Sequence, residues 1–286
     1  MPLTALDQAT QNAYADLHSA CLTPAFDGKG ISFTSKEIRG KKYLYVSAKV
    51  DQVPIQRYLG PDNPETRQLI EKEKTLWQAR ETARPNRARL VNMTLSGGMI
   101  GPTPQVGKIL RLLERAGVFL AGGVLVGTPA FRTIGSMIGV SWDGQFATRD
   151  VDIAADYRTP IAVHSKAINL ESILEASGMG FIGVPALNPK HPSTTYRMKG
   201  GEYSVELLTP ELGKAAEKPI KIPYLNASAA PLRFLDYLLE ETQPAVILFG
   251  IGILVNVPDP ARFAVHKLVV SQRRPGAFAA KSAKDI

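Results

Sequence analysis

The strongest constraint on the fold is a strand–glycine–helix–strand pattern in the middle of the chain. An apolar run, Val118–Val126, predicts a strand, and Gly127-Thr128 follows it directly. The next residues, Pro129–Ile138, predict a helix that begins with proline, a residue favoured at the first helical position. A second predicted strand then carries two acidic residues, Asp150 and Asp152.

Asp150 and Asp152 are expected to share one face of their strand. Successive side chains of a strand point to opposite faces, so Val151 and Ile153 are expected to enter the core instead. Two adjacent carboxylates repel one another, and a divalent cation such as Mg²⁺ or Mn²⁺ relieves that repulsion. An isolated Asp-x-Asp pair is more often a strand end that faces solvent, so the surrounding pattern decides its interpretation.

The glycine before the predicted helix adds the second half of the pattern. Glycine lets the backbone approach a ligand closely, and the N–H groups at a helix start favour a phosphate. A phosphate cradle at Gly127 and Thr128, beside a strand with paired carboxylates, is what metal-assisted phosphoryl or nucleotidyl transfer requires. Gly122 and Gly123 are a competing choice for the cradle, and they also suit a purely structural role in close strand packing.

Several motifs, in this order, resemble those of a bacterial family of nucleotidyltransferase-fold proteins within the DNA polymerase beta superfamily. The resemblance extends from about Tyr43 to the C-terminus. It is carried by the segments GGVLVGTPAF, TRDVDIA, YSVELLTP, PLRFLDYLL and FAVHKLVVSQRR. It implies an α/β (α+β) fold with a mixed sheet flanked by helices, a small N-terminal helix and hairpin region, and a helical C-terminal part.

The resemblance also implies roles for individual residues. Asp150 and Asp152 would be metal ligands, and Glu206 would be the third carboxylate that completes the metal site or acts as the base. Its neighbours in the sequence are apolar, which predicts that Glu206 lies on the face away from the core. Lys267, on a late helix, and Arg149, directly before the carboxylate pair, would contact phosphates. A lysine in the position of Lys267 also commonly extends to water along an apolar face.

Composition narrows the alternatives. A single cysteine excludes an intramolecular disulfide framework, and the four histidines are scattered without metal-ligand spacing. The first 20 residues are too polar for a secretory signal, which predicts a cytoplasmic protein without a membrane segment. The net charge of +8 favours an anionic partner, and a merely basic surface is an equally good explanation. Walker-A and G-x-S-x-G motifs are absent from the sequence, which disfavours P-loop chemistry and a nucleophilic serine.

The chain is predicted to have three parts, residues 1–100, 101–215 and 216–286. Near the N-terminus we expect a helix over Leu3–Cys21 and then a small antiparallel sheet. Its tyrosines, Tyr43, Tyr45 and Tyr58, suit cross-strand packing better than a stacking platform for a base. A charged helix is predicted from Pro64 to Ala83, with a solvated arginine-rich linker after it.

Two later segments give clear strand signals. Thr194–Lys199 and Tyr203–Leu208 predict a hairpin across Gly200-Gly201. The apolar run Ala245–Val257 is too short to cross a bilayer and predicts two buried strands.

These observations predict a metal-dependent nucleotidyltransferase. An acceptor hydroxyl would attack the α-phosphate of a nucleoside triphosphate, with RNA, tRNA or a protein as possible acceptors and the oligomeric state left open. One alternative is a non-catalytic nucleotide- or RNA-binding protein of a defence or toxin–antitoxin system. A weaker one is a structural protein whose carboxylates are incidental.

Overall fold

A computed structural model describes residues 3–22, 31–38, 40–50, 53–142, 148–158, 168–211, 213 and 218–273. The chain forms two compact units. The small unit is residues 23–89, and the large unit combines residues 1–22 with residues 90–286.

The described residues form strands, α-helices and one 3₁₀ turn, Pro223–Leu225. The strands are β1 (Leu3–Ala5), β2 (Ile31–Ile38), β3 (Lys41–Val50), β4 (Val53–Pro61), β5 (Val124–Val126), β6 (Val140–Trp142), β7 (Asp150–Ala154), β8 (Phe181–Gly183), β9 (Thr195–Met198), β10 (Ser204–Pro210), β11 (Ile220–Ile222), β12 (Ala227–Leu232), β13 (Thr242–Ile247) and β14 (Ile253–Pro258). The α-helices are α1 (Gln8–Leu22), α2 (Pro64–Ser96), α3 (Pro104–Arg115), α4 (Gly127–Met137), α5 (Leu170–Ala176), α6 (Leu235–Leu239) and α7 (Pro260–Arg273).

The large unit is built around a mixed sheet. Its strands follow the order β11-β12-β10-β7-β5, and β8 and β9 extend it from β10. β10 runs parallel to β7 and β12, whereas β5 runs antiparallel to β7. The predicted α/β fold with a mixed sheet and flanking helices is therefore confirmed.

Alternating apolar side chains fix the two central strands of this sheet. Val151 and Ile153 of β7, and Val205 and Leu207 of β10, are fully buried in the main hydrophobic core. Because the side-chain period of a strand is two, a slip of one residue would turn these apolar groups out and the acidic ones in. Core packing therefore sets which face carries the carboxylates.

The N-terminal segment differs from the predicted helix at its start. Leu3–Ala5 is the strand β1, which pairs antiparallel with β6, and helix α1 begins only at Gln8. The Asp7 carboxylate explains the boundary, because it accepts hydrogen bonds from the Thr10 backbone N–H at 2.8 Å and from Thr10 Oγ1 at 2.9 Å. An aspartate at this position satisfies N–H groups of the first helical turn.

The predicted arginine-rich linker after residue 83 is wrong, because helix α2 continues through it to Ser96 with Pro85 inside. An interior proline removes one helical hydrogen bond and opposes the helix. Packing offsets that cost, since Leu90 and Val91 in the following turns are buried in a second hydrophobic cluster with Tyr14 and Leu17 of α1.

The predicted strand Val118–Val126 is too long. The structure has only the three residues of β5, and turns precede it, in which the Ala121 N–H donates to Gly117 O at 2.9 Å and the Gly122 N–H to Phe119 O at 3.1 Å. Gly122, with φ of +100°, closes these turns before the strand begins.

The C-terminal part is richer in strands than predicted. The region expected to be largely helical contains β11, β12, β13 and β14 as well as α6 and α7. The apolar run at its centre does form two buried strands, the antiparallel pair β13 and β14. The predicted hairpin across Gly200-Gly201 is also confirmed, by β9 and β10. In the part of the chain that the structure describes, every helix is too short or too polar to cross a membrane.

The small unit contains a three-stranded antiparallel sheet, β2-β3-β4, and the first part of α2. The predicted packing of its tyrosines is confirmed. The ring centroid of Tyr58 lies 5.6 Å from that of Tyr45 and 6.0 Å from that of Tyr43.

Candidate functional site

The candidate site lies on the polar face of the central strand β7. Asp150 is exposed and Asp152 is half-buried, while Val151 and Ile153 between and after them are fully buried. The alternation predicted from the sequence therefore holds, and both carboxylates leave the sheet on the same side.

Strand β10 brings the third predicted carboxylate next to this pair. Glu206 is the direct partner of Asp152 in the parallel register, and Ser204 is the direct partner of Asp150. Directly paired residues of neighbouring strands are on one face, with the strands about 4.8 Å apart. Glu206 is half-buried, as Asp152 is. The sheet therefore aligns Asp150, Asp152 and Glu206 on a common face.

Ser204 is a site residue that the sequence analysis missed. Its Oγ donates a hydrogen bond to Asp150 Oδ1 at 2.7 Å, which fixes the orientation of that carboxylate. The available signal was its position two residues before Glu206, which places both side chains on one face of the same strand.

Gly127 flanks Asp152 from the other side. Val126, the last residue of β5, is the antiparallel partner of Asp152, and helix α4 begins at the next residue, Gly127. The φ angle of Gly127 is +70°, and a Cβ atom at this position would overlap Asp152 Oδ2. Glycine is thus required both by the backbone conformation and by the nearness of the carboxylate.

The N-cap residue of α4 is Val126, whose apolar side chain cannot cap the helix, and the first turn begins beside Asp152. Thr128 is the second residue of this helix. The structure therefore brings Gly127 and Thr128 to the carboxylates, as the phosphate-cradle interpretation requires.

Gly122 and Gly123 lie at the opposite end of β5. The Gly123 N–H donates to Val118 O at 2.9 Å, and the Asn256 amide donates to Gly123 O at 3.0 Å. The structure does not bring this pair together with the carboxylates. Its hydrogen bonds hold the turn before β5 against β14.

Arg149 and Lys267 have contacts that orient them. Arg149 is exposed, and its guanidinium lies 3.4 Å from the Glu202 carboxylate. Lys267 lies on α7, with Nζ 5.6 Å from the centroid of the Phe263 ring. That ring is stacked 6.3 Å from Phe131 of α4, so the helix that carries Lys267 packs on the helix that begins at the site.

Arg132 is a second residue that the sequence analysis missed. It is half-buried on α4 and lines a small cavity of about 20 Å³, room for about one water molecule, together with Pro129 and Thr148. Among the described residues no carboxylate forms an ion pair with Arg132, and partial burial lowers the pKa of its guanidinium. Thr103 also lines the cavity, and its buried Oγ1 has no hydrogen-bond partner in the described part of the chain.

The cavity adjoins the carboxylate face. Pro129 lies two residues after Gly127, and Thr148 Oγ1 is 3.3 Å from both the N–H and the carbonyl oxygen of Asp150. The partly desolvated Arg132 therefore shares a cavity with Thr148, which hydrogen-bonds to the backbone of Asp150. Nothing in the sequence around Arg132 indicates this role, because it depends on the burial of one helix face.

The carboxylates suit a divalent cation in one particular way. In the described residues, no group of three or more His, Cys, Asp or Glu side chains converges closely enough to hold a metal ion on its own. Mg²⁺ is usually bound by one or two carboxylates plus substrate phosphates, and it prefers oxygen ligands. Asp150 and Asp152, beside a glycine where a phosphate can approach, match that donor set.

Carboxylates aligned on two central strands, beside a helix start whose N-cap residue is apolar, are the features of a site for phosphate-containing ligands. Comparison with protein-family models finds a match to a nucleotidyltransferase family over residues 104–286, more than half of the chain. The chain belongs to this nucleotidyltransferase family, which supports nucleotidyl transfer as its general activity. The matched region includes β5, α4, β7, β10 and α7, the elements of the site. Searches of curated proteins and of solved structures find no match.

Proposed function

We propose that the protein is a metal-dependent nucleotidyltransferase that moves a nucleoside monophosphate from a nucleoside triphosphate to an acceptor hydroxyl. The observation that carries the proposal is the register of three strands. It sets Asp152 between Glu206 on β10 and Val126 on β5, and Gly127 follows Val126 directly. The triphosphate would lie at Gly127 and Thr128, where the helix N–H groups donate to its oxygens.

Each side chain of the site has a defined task in this proposal. Asp150, oriented by Ser204, and Asp152 would hold Mg²⁺ or Mn²⁺, which supplies charge stabilisation at the phosphate oxygens. Glu206 would take the proton of the acceptor hydroxyl, and that oxygen would form a bond to the α-phosphorus. The bond from the α-phosphorus to the bridging oxygen breaks, pyrophosphate leaves, and Glu206 passes its proton to water.

Radiolabel position tests the reaction type. The protein is incubated with Mg²⁺, a mixture of candidate RNA, tRNA and protein acceptors, and a nucleoside triphosphate labelled at either the α- or the γ-phosphate. We expect label from the α-phosphate to enter an acceptor and label from the γ-phosphate to leave with pyrophosphate. Transfer from the γ-position would identify a kinase instead. Nucleotide binding without any transfer would support the non-catalytic alternative.

Arg132 is proposed to contact the phosphates from the edge of the site. Its small cavity has room for one functional group of a ligand, such as a phosphate oxygen, and the guanidinium forms strong charge-assisted hydrogen bonds to such a group. Burial removes water from the Arg132 guanidinium, and among the described residues no carboxylate compensates for that loss. A bound phosphate would supply the missing negative charge.

Replacing Arg132 by methionine is expected to weaken metal–nucleotide binding about tenfold or more, since a hydrogen bond to a charged group contributes roughly 1.5–3 kcal/mol. Thermal stability should not fall, because methionine keeps the apolar stem and removes a partly desolvated charge. The measurements are titration calorimetry and thermal melting.

The matched control for Arg132 is Arg262→Met. Arg262 is an arginine on α7 whose guanidinium already pairs with Glu240 at 2.6 Å and with Glu241 at 3.4 Å. Its loss should reduce stability and leave nucleotide affinity unchanged. Equal nucleotide affinity of the Arg132→Met variant and the wild type would rule out the proposed contact.

A further inference from the structure

The small unit carries most of the chain's net positive charge. Residues 23–89 contain 14 of the 34 lysines and arginines but only 8 of the 26 aspartates and glutamates, a net charge of +6 out of +8. The large unit, which holds the candidate site, is therefore close to neutral overall. A charge concentrated on one compact unit indicates an anionic partner for that unit.

One face of the small unit's sheet combines this charge with aromatic rings. The register pairs Lys36 with Tyr43 across β2 and β3, and Tyr45 with Tyr58 across β3 and β4. Alternation along β3 adds Lys41 to the same face. We call these five residues, Lys36, Lys41, Tyr43, Tyr45 and Tyr58, the tyrosine–lysine face.

The opposite face of the sheet is occupied by the unit's own helix. Phe33 and Leu44 line a cavity with Ile70 and Lys74 of α2, and Lys74 Nζ lies 6.0 Å from the centroid of the Phe33 ring. Glu37, the acidic residue of the described strands β2, β3 and β4, also lies on that side, since it neighbours Lys36 in an alternating strand. The tyrosine–lysine face is therefore free of carboxylates in these strands.

The tyrosine rings are packed against one another but are not buried. Tyr58 is 53% exposed, Lys36 and Lys41 are exposed, and Tyr43 and Tyr45 are half-buried. Lys36 Nζ lies 5.2 Å from the centroid of the Tyr45 ring. The mutual contacts hold the rings in place and leave ring surface accessible to solvent, so little side-chain entropy would be lost when a planar group stacks on them.

Rings for stacking and cations beside them match the chemistry of single-stranded nucleic acid. Bases stack on aromatic side chains whatever their sequence, and lysines follow the phosphate backbone. An acidic protein or an anionic membrane would use the lysines but would leave the ordered tyrosine rings without a function.

We propose that the tyrosine–lysine face binds single-stranded nucleic acid, and that this nucleic acid belongs to the acceptor class of the transfer reaction. The second half rests on the proposed function. The acceptor group would be a sugar hydroxyl, whose oxygen bonds to the α-phosphorus as pyrophosphate leaves and whose proton passes to Glu206.

Binding is tested on the full chain by fluorescence anisotropy, without nucleotide or metal. The probes are oligouridine, oligodeoxyuridine and an abasic oligomer of equal charge, each about 12 nucleotides long. We expect both base-carrying probes to bind at least about fivefold more tightly than the abasic one, because stacking contributes to their affinity. Tighter binding of one of the two then shows whether the sugar is read. Equal affinity for the abasic oligomer, or no binding of any probe at low salt, would overturn the proposal.

Variants of the small unit show where the nucleic acid binds. Tyr58→Ala should weaken binding of the base-carrying probes about tenfold, and Tyr58→Phe, which keeps the ring, should not. The plot of log binding constant against log salt concentration should become less steep by about 1.4 in Lys36→Gln/Lys41→Gln. This is about 0.7 for each phosphate that a lysine no longer neutralises. The matched controls in the large unit are Tyr237→Ala and Lys190→Gln/Lys221→Gln, which remove exposed residues of the same types and should leave binding unchanged.

Crosslinking locates the bound oligonucleotide on the wild-type protein, so the result does not depend on whether a variant folds. Oligouridine that carries 4-thiouridine is irradiated in the complex, and the linked peptides are identified by mass spectrometry. Links to β2, β3 or β4 are expected, and links confined to the large unit would overturn the proposed face.

The same probes separate this inference from the proposed function. Oligonucleotide binding should persist in the Asp150→Asn/Asp152→Asn variant, so a loss of nucleotide binding there leaves the face unaffected. With α-labelled nucleotide and wild-type protein, label is expected in an oligonucleotide with free hydroxyl ends. Label found only in protein, together with intact oligonucleotide binding, would overturn the acceptor assignment alone.

Discussion

Replacing Asp152 by asparagine is expected to abolish metal-dependent nucleotide transfer while the protein stays folded. Asp152 pairs with Glu206 in the register, and its carboxylate lies against Gly127, so it adjoins both the proposed base and the proposed phosphate cradle. Asparagine has the same shape but no charge, and the loss of this ligand should lower the transfer rate by about 1,000-fold or more. The readout is radiolabel transfer, with circular dichroism as the test of folding.

Asp156→Asn is the matched control, another aspartate shortly after the same strand. Its carboxylate pairs with Arg158 at 2.6 Å, which holds the Asp156 pKa below its usual range. That pair contributes stability at neutral pH and loses it as the pH falls through the lowered pKa. The control variant should therefore lose some stability and keep its activity. Full transfer by folded Asp152→Asn would remove Asp152 from the catalytic site.

Replacing Gly127 by alanine is expected to have an effect nearly as large on nucleotide binding. The new Cβ would overlap Asp152 Oδ2, and φ of +70° is strained for alanine by roughly 1–2 kcal/mol. The carboxylate must move, and the phosphate can no longer approach the backbone closely. We expect the Kd for the metal–nucleotide complex to rise about 100-fold, measured by calorimetry. Both the shifted Asp152 carboxylate and the added methyl group would weaken binding of the same phosphates.

Gly122→Ala distinguishes strain from site chemistry. Gly122 has a φ of +100°, so alanine is strained there too, but a Cβ would meet no atom within 4 Å. The variant should lose about 1 kcal/mol of stability and bind nucleotide normally. The reverse result, with nucleotide binding abolished in Gly122→Ala and kept in Gly127→Ala, would place the phosphates at the other end of β5.

The common face of Asp150 and Asp152 was predictable because alternation is a local property of a strand. Val151 and Ile153 are apolar neighbours that only one face can bury, and the structure buries both completely. The pairing of Glu206 with Asp152 was not accessible in the same way. The two residues lie on strands far apart in the sequence, and a one-residue slip in register would have separated them without changing either strand's own pattern.

The missed features depend on tertiary packing. Pro85 predicts a helix end by its local chemistry, and the burial of Leu90 and Val91 overrides it in α2. Arg132 has an ordinary place in the helix pattern, and only the neighbouring elements decide that it is half-buried in a cavity. Such burial results from several segments meeting in space, which a single stretch of sequence does not encode.

The most direct test of the central claim is titration calorimetry of each nucleoside triphosphate into the wild-type protein and into Asp150→Asn/Asp152→Asn. Each titration is made with Mg²⁺, with Mn²⁺ and with chelator. We predict binding that requires the metal and is abolished in the folded double variant. Nucleotide binding that is equally tight with chelator, or unchanged in the double variant, would contradict a metal–nucleotide site at β7.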